Sequence, residues 1–155
     1  MTKDRALIGA AGEYYVAFRL AAEGYAVGLT THGTRSIDLV IANADSGKSI
    51  TIQTKTMLKD AFVRSRKYGP YWKWRVGISR RPANKTFYYA FVDLKGNPSQ
   101  TPDVFIVPSD QLMSLTKDEE YKDKSGRVID IWCVIYEKDA EKYQNRWDVI
   151  KNALA

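Results

Sequence analysis

The fold is decided by residues 37–57, which read IDLVIANADSGKSITIQTKTM. Two apolar runs, 37–42 and 50–57, have the length and the β-branched content of strands. The polar segment 43–48 between them carries the Asn, Asp, Ser and Gly residues of a tight connection. The stretch therefore predicts two neighbouring antiparallel strands joined by a hairpin.

Three polar side chains interrupt these two runs. Because successive side chains of a strand point to opposite faces, Asp38 projects away from the face of Ile37 and Leu39. In the second run, Gln53 and Lys55 lie on the face opposite to that of Ile50 and Ile52. A carboxylate, an amide and an ammonium group are therefore expected on one face of the pair.

The hairpin determines which of these residues meet. A four-residue loop at residues 45–48 would pair Asp38 with Lys55, and a slip of two residues would pair Asp38 with Gln53. In both registers alternation predicts that all three share a face, at Cβ separations of about 5 Å directly and about 7–8 Å diagonally. Side chains at this spacing can share one metal ion or one phosphate. A plain ion pair between Asp38 and Lys55 explains the hairpin equally well.

Glu13 favours the functional interpretation. Residues 6–23 have helical periodicity, and Gly24 fits the position just past the helix end. The neighbours of Glu13 three and four residues away are two alanines, one valine and one glycine, so the helix offers it no charge partner. We expect Glu13 to face the sheet, with Gly9 and Gly12 allowing a close approach; the alternative is exposure to solvent. The apolar face of the same helix is predicted to consist of Leu7, Ala11, Tyr14, Tyr15, Phe18 and Ala22.

The rest of the chain adds strands and two further helices. Strands are predicted at 25–31, 86–94, 104–107 and 128–136, and helices at 108–115 and 140–154. The basic segment that follows the strand 50–57, up to residue 85, is expected to be loop with short helix, and 119–126 a charged loop. We predict a single domain, 1–155, of class α/β with a central mixed β-sheet flanked by helices.

Positive charge is concentrated in residues 55–85. This segment holds ten Lys or Arg residues and one acid, whereas the whole chain has a net charge of +6. The same segment holds five aromatic residues, and rings among cations can stack on bases while the cations meet phosphates. The segment predicts a nucleic-acid footprint, against the alternative of a solvated basic surface.

Several classes of site and location are disfavoured. Cys133, the single cysteine, lies in an apolar run and is expected to be a buried strand residue. His32, the single histidine, is expected in a loop. No apolar run approaches the length of a membrane span, and the N-terminal residues lack the pattern of a signal peptide. A cytoplasmic location without membrane contact is the expectation.

The motifs together resemble those of the PD-(D/E)XK nuclease superfamily, which includes Holliday-junction resolvases and many restriction endonucleases. The resemblance rests on the order Gly12-Glu13, then Ser36-Ile37-Asp38-Leu39-Val40, then Ile52-Gln53-Thr54-Lys55. It covers residues 6 to 57 well and extends more loosely through 87–94 and 102–108. It implies a restriction endonuclease-like core.

The resemblance also implies roles for individual residues. Asp38 matches a ligand of a divalent metal, usually magnesium, with manganese as a substitute. Lys55 matches the lysine that positions or helps to deprotonate the attacking water, and Glu13 matches a helix-borne metal ligand. Gln53 stands where the family typically has Glu or Asp. The Gln-x-Lys form is similar to that of type IV restriction endonucleases, and it removes one negative charge from the site.

These features predict a magnesium-dependent endonuclease that hydrolyses DNA. The alternative is a catalytically inactive module of the same fold that binds nucleic acid or protein. A homodimer is expected if both strands of a duplex are cut. The residues predicted to bind nucleic acid are Arg64, Arg66, Lys67, Tyr71, Trp72, Arg80 and Arg81.

Overall fold

A computed structural model describes residues 4–31, 36–77, 83–116 and 120–155. His32, Arg80 and Arg81 lie outside these ranges. The helices are α1 (Arg5–Ala22), α2 (Leu112–Leu115) and α3 (Trp147–Leu154). The strands are β1 (Ala26–Leu29), β2 (Leu39–Ala42), β3 (Ser49–Met57), β4 (Phe62–Ser65), β5 (Gly69–Arg75), β6 (Phe87–Asp93), β7 (Asp103–Pro108), β8 (Glu120–Lys122) and β9 (Val128–Tyr136).

The main sheet is five-stranded and mixed, in the order β1-β2-β3-β6-β7. Strands β3 and β6 pair in parallel, and the other neighbours pair antiparallel. Every residue of β6 is buried, as expected for a strand with a parallel neighbour and both faces covered. The predicted α/β class with a central mixed sheet is confirmed.

The two faces of the main sheet are covered by different layers. On one face, α1 and α3 contribute Val16, Leu20 and Ile150 to a core with the isoleucines of β2 and β3. On the other face, Trp74 of β5 packs against Phe91 and further aromatic rings of β6 and β7. A second sheet of order β4-β5-β9-β8 provides this layer. Helices therefore flank one face, and a sheet that the sequence patterns did not predict covers the other.

The basic segment was expected to be loop with short helix, and this expectation is wrong for its described part. Residues 62–75 form the antiparallel hairpin of β4 and β5, with Phe62 opposite Trp72. Gly69 has a φ of +76°, a conformation that costs glycine little and lets β5 begin directly after the turn. The aromatic residues drive strand formation because their rings fill the space between the two sheets.

Two other boundaries differ from expectation. The charged loop at 119–126 includes the short strand β8, whose pairing with β9 is irregular at Tyr121 and Lys122. The C-terminal helix begins only at Trp147, because residues 137–142 form a 3₁₀ helix instead. Local patterns did not separate these short elements from their neighbours.

The buried face of α1 is not the predicted one. Leu7, Tyr14 and Phe18 are 70%, 62% and 64% exposed, whereas Val16 and Leu20 are buried. The helix carries two apolar stripes, and the stripe through Gly12 lets the backbone approach the sheet more closely. At the start of α1 the Asp4 side chain accepts a hydrogen bond from the N–H of Ala6, and at its end Gly24 follows with positive φ, as predicted. Within the described residues, no helix is long and apolar enough to cross a membrane.

Gly12→Ala is expected to destabilise the protein. A Cβ at this position would overlap the side chain of Thr56, with its Cβ and Cγ2 each at 2.9 Å. Overpacking of this kind costs about 1–3 kcal/mol, measurable by urea denaturation. Gly9→Ala is the matched control on the same helix, because a Cβ there meets nothing within 4 Å. The control should gain about 0.5–1 kcal/mol from helix propensity. A Gly12→Ala protein as stable as Gly9→Ala would contradict the close packing.

Candidate active site

The β2–β3 hairpin adopts the second of the two predicted registers, the one that is slipped by two residues. Leu39 lies opposite Ile52, and Ala42 lies opposite Ser49. The N–H of Asn43 donates to the carbonyl of Lys48 at 2.9 Å, so the loop comprises residues 44–47. Strict continuation of this register would put Asp38 opposite Gln53.

The backbone departs from strict alternation at Asp38. Its N–H donates to the carbonyl of Ile52 at 2.9 Å, although Ile52 already lies opposite Leu39. Two consecutive residues share one partner, which is the arrangement of a β-bulge and redirects a side chain. The bulge interrupts the alternation of side chains at Asp38. The prediction that alternation places Asp38 on the face of Gln53 and Lys55 is therefore wrong.

The carboxylate of Asp38 is held by Thr54. Its Oδ2 accepts hydrogen bonds from the N–H of Thr54 at 2.6 Å and from the Thr54 hydroxyl at 3.1 Å. An N–H of a strand points along the plane of the sheet, so the carboxylate lies in that plane where β2 begins. Among the described residues, no hydrogen bond reaches Oδ1. This oxygen is free to meet a ligand where β2 begins.

Gln53 and Lys55 occupy the face of β3 that alternation predicts. Ile50, Ile52 and Thr54 are buried, whereas Gln53 and Lys55 are half-buried. Burial lowers the pKa of the Lys55 ammonium, and the negative charge of Asp38 opposes this shift. Lys55 is therefore within the electrostatic reach of Asp38 and loses its proton more readily than an exposed lysine.

Glu13 lies on α1, which packs on the Thr54 face of β3, whereas Gln53 and Lys55 lie on the opposite face. The preceding residue, Gly12, contacts Thr56, which follows Lys55 in the strand. Glu13 itself is half-buried. The structure brings Asp38 and Lys55 within interaction range, with Gln53 beside them on β3. It places Glu13 on the helix that covers the Thr54 side of the sheet.

The oxygen groups of this site suit a hard divalent cation. In the described ranges, no three His, Cys, Asp or Glu side chains come close enough to hold a metal. The oxygen donors near Lys55 are the free oxygen of Asp38, the amide oxygen of Gln53 and the carbonyl of Thr54, and Glu13 is a carboxylate on the α1 side of the sheet. Magnesium prefers oxygen donors and keeps several waters, so it does not require three acidic ligands. Asp38 and Gln53 supply oxygen donors of the kind that such an ion binds, and they carry less negative charge than three carboxylates would.

A cleft of about 930 Å³ opens beside Lys55. Three further cations line it: Arg5 from the start of α1, Lys59 after β3, and Arg75 from the end of β5. Arg75 also pairs with Asp130 at 2.5 Å. The cleft also includes the rings of Trp74 and Trp132. Its size and charge suit a phosphate backbone approaching the site.

Sequence reasoning did not single out these lining cations. Lys59 and Arg75 were counted in the basic segment, but nothing local distinguished them from the other eight cations. Arg5 lies 50 residues before Lys55 in the chain, so its proximity depends on how α1 packs on the sheet.

The residues predicted to bind nucleic acid divide into two groups. Arg64, Arg66 and Lys67 are exposed on the β4–β5 hairpin and remain accessible to a ligand. Tyr71 is only 9% exposed, and Trp72 packs between Phe62 and Phe105, with centroids at 4.5 and 5.0 Å. Since internal packing occupies the rings of Tyr71 and Trp72, we omit both from the proposed interface.

Comparison with known proteins identifies the fold. No family model matches the sequence, and no curated protein matches it. The chain resembles the solved structure of a bacterial homing endonuclease, I-Ssp6803I, with a TM-score of 0.59 and 16% identity. The alignment covers 97% of this chain and 95% of that one. At this identity the likeness shows the fold, so the chain has a nuclease-like α/β core.

Lys55→Met is expected to stabilise the protein. The folded state disfavours the Lys55 ammonium because burial lowers its pKa below the usual 10.5. As the pH rises from the lowered pKa towards 10.5, the unfolded chain binds more protons than the folded one, so the free energy of unfolding rises. Lys55→Met should raise the Tm at neutral pH and flatten this alkaline rise.

The matched control for this measurement is Lys124→Met, at an exposed loop position. It should leave unchanged both the Tm and the rise of the free energy of unfolding at alkaline pH. A lower Tm in the Lys55→Met protein would show instead that the pair with Asp38 outweighs the burial of the ammonium.

Proposed function

We propose that this protein is a magnesium- or manganese-dependent endonuclease of the PD-(D/E)XK type that hydrolyses DNA phosphodiester bonds. The observation that carries the proposal is the Asp38 carboxylate, which Thr54 holds in the plane of the sheet within reach of the half-buried Lys55. The fold shared with a homing endonuclease supports it, and so does the basic cleft beside Lys55.

Each residue has a separable task in this mechanism. Asp38 Oδ1, the Gln53 amide oxygen and Glu13 would hold the ion, and Thr54 would keep the Asp38 carboxylate from rotating. A bound divalent ion would polarise the scissile phosphate and lower the pKa of the attacking water. Gln53 contributes no charge, so we expect metal affinity lower than that of a site with three carboxylates.

Lys55 is the proposed general base. Burial lowers its pKa, so more of the neutral amine is present near neutral pH than for an exposed lysine. The water oxygen bonds to phosphorus while its proton passes to Nζ of Lys55. The bond from phosphorus to the bridging oxygen of the leaving strand then breaks, and solvent protonates that oxygen. The rate should therefore rise with pH until Lys55 is fully deprotonated.

A second candidate function is a non-catalytic module that binds nucleic acid. It is favoured by the scarcity of acidic ligands, since the described residues contain no cluster of three. Titration calorimetry separates the two candidates. Heat from magnesium or manganese binding that is lost in Asp38→Asn supports the nuclease. Retained DNA binding without such heat supports the module.

Asp38→Asn is expected to abolish DNA cleavage, and Lys55→Met to slow it by about 10²- to 10⁴-fold, the usual contribution of general base catalysis. The assay uses labelled duplex, junction, flap and single-stranded DNA with magnesium and with manganese. The introduced amide keeps an oxygen that accepts from Thr54, so the fold should persist. Asp45→Asn, in the exposed loop of the same hairpin, is the control that should cut normally. Cleavage that survives in Asp38→Asn would refute the assignment.

The cleft is expected to hold the phosphate backbone. Arg5→Ala and Lys59→Ala should each weaken DNA binding and reduce the slope of log affinity against log salt by about 0.9, because each loses one phosphate contact. Lys48→Ala is the control, since Lys48 precedes β3 and Lys59 follows it, which separates them by about 30 Å along the strand. Equal effects at all three positions would show that binding depends on net charge and not on the cleft.

A further inference from the structure

The outward face of α1 is apolar along the whole helix. Leu7, Tyr14 and Phe18 are 70%, 62% and 64% exposed. Ala11 and Ala21 on the same face are exposed as well. These five residues follow one another in alternating steps of four and three, which is the spacing of a helix–helix seam. They are called the α1 seam below.

The charges of α1 all lie away from the α1 seam. At about 100° per residue, the half of the helix centred on Tyr14 contains no charged residue. It consists of Ala6, Leu7, Ala10, Ala11, Tyr14, Ala17, Phe18, Ala21 and Ala22. Arg19 lies over the ring of Trp147 at 4.8 Å, and Glu23 pairs with Lys151 at 2.7 Å. A surface helix normally has the opposite polarity, and an exposed apolar face can serve as an interaction surface.

We propose that the α1 seam is a homodimer interface in which α1 of a second copy packs antiparallel about a two-fold axis at Tyr14. In this alignment Leu7 meets the small residue Ala21 of the other copy. Phe18 likewise meets Ala11, and Tyr14 meets its own counterpart. Large side chains face small ones at both ends, so the seam is complementary to itself. Such a surface forms an isologous interface that closes at two copies.

The size of the seam sets the strength of the dimer. An 18-residue helix is about 27 Å long, and with a width of about 10 Å it projects roughly 270 Å². A standard stable complex buries about 800 Å² per partner. Leu29, 49% exposed on the edge strand β1, adds apolar surface next to α1. The seam alone is about a third of that area, so the dimer is expected to be weak and reversible.

Electrostatics distinguish this surface from the nucleic-acid interface. Each copy carries a net charge of +6, so two copies repel one another, and added salt screens that repulsion. Because the α1 seam itself is uncharged, salt should strengthen dimerisation while it weakens DNA binding. The dimer proposal does not depend on the nuclease activity.

Sedimentation equilibrium over a range of protein concentration and salt tests the proposal. The wild-type protein should show a monomer–dimer equilibrium that shifts towards dimer with salt. Tyr14→Lys should weaken dimerisation by about tenfold or more, as expected for a large side chain at the centre of an interface. Leu7→Lys should weaken it as well, because its ammonium would then face Ala21 of the other copy. Both positions are exposed, so thermal melts should match wild type.

A charge pair tests the antiparallel alignment. Leu7→Lys together with Ala21→Glu should restore much of the affinity that Leu7→Lys loses, because each lysine would then meet a glutamate of the other copy. The two positions are about 21 Å apart within one helix, so the pair cannot form within one chain. Failure of the double variant to recover would overturn the alignment.

Cysteine crosslinking locates the two-fold axis. Tyr14→Cys should form a covalent dimer with a short bis-maleimide, because residue 14 meets its counterpart at the axis. Leu7→Cys is the matched control, since its counterpart would lie about 21 Å away. The native Cys133 is buried and should not react. A wild-type protein that stays monomeric, or that binds neutral lipid vesicles through α1 instead, would overturn the proposal, as would equal crosslinking of both variants.

Discussion

The N–H of Thr54 must find an acceptor at the point where β2 stops pairing with β3. A backbone donor without a partner in a buried strand is costly, and the carboxylate of Asp38 fills the gap at 2.6 Å. The same bond closes the bulge at the start of β2 and fixes the orientation of Asp38. Lys55 follows Thr54 in the chain, so a requirement of sheet pairing also sets the distance between the acid and the lysine. The candidate site is thus a consequence of how the pairing between β2 and β3 ends.

The two layers around the main sheet leave room for a substrate at the end of β3. Helix α1 covers one face and the second sheet covers the other, and the cleft lies where both meet the end of that strand. Arg5 comes from the helix layer and Arg75 from the second sheet, so neither layer alone builds the cleft. Cations and the candidate catalytic groups therefore converge at this end of β3 because the two layers leave a gap between them there.

Helix α1 links the site to the rest of the surface. Its inward side carries Gly12, whose missing side chain allows contact with Thr56, and Glu13 follows directly. Its outward side carries no charge and presents the α1 seam. As proposed, one helix thereby contributes to the candidate site on one side and to association on the other. A change in how closely α1 packs on β3 would affect both the position of Glu13 and the shape of the seam.

The sequence by itself determined the hairpin, the mixed α/β class and the faces of Gln53 and Lys55. Alternation and turn chemistry are local, and neighbouring residues suffice to show them. The bulge at Asp38, the second sheet and the choice between the two apolar stripes of α1 were decided only by tertiary structure. Each depends on contacts between residues far apart in the chain: Asp38 with Thr54, Trp74 with Phe91, and Gly12 with Thr56. A periodic pattern shows which side chains lie on one face, but the packing partner determines which face becomes buried.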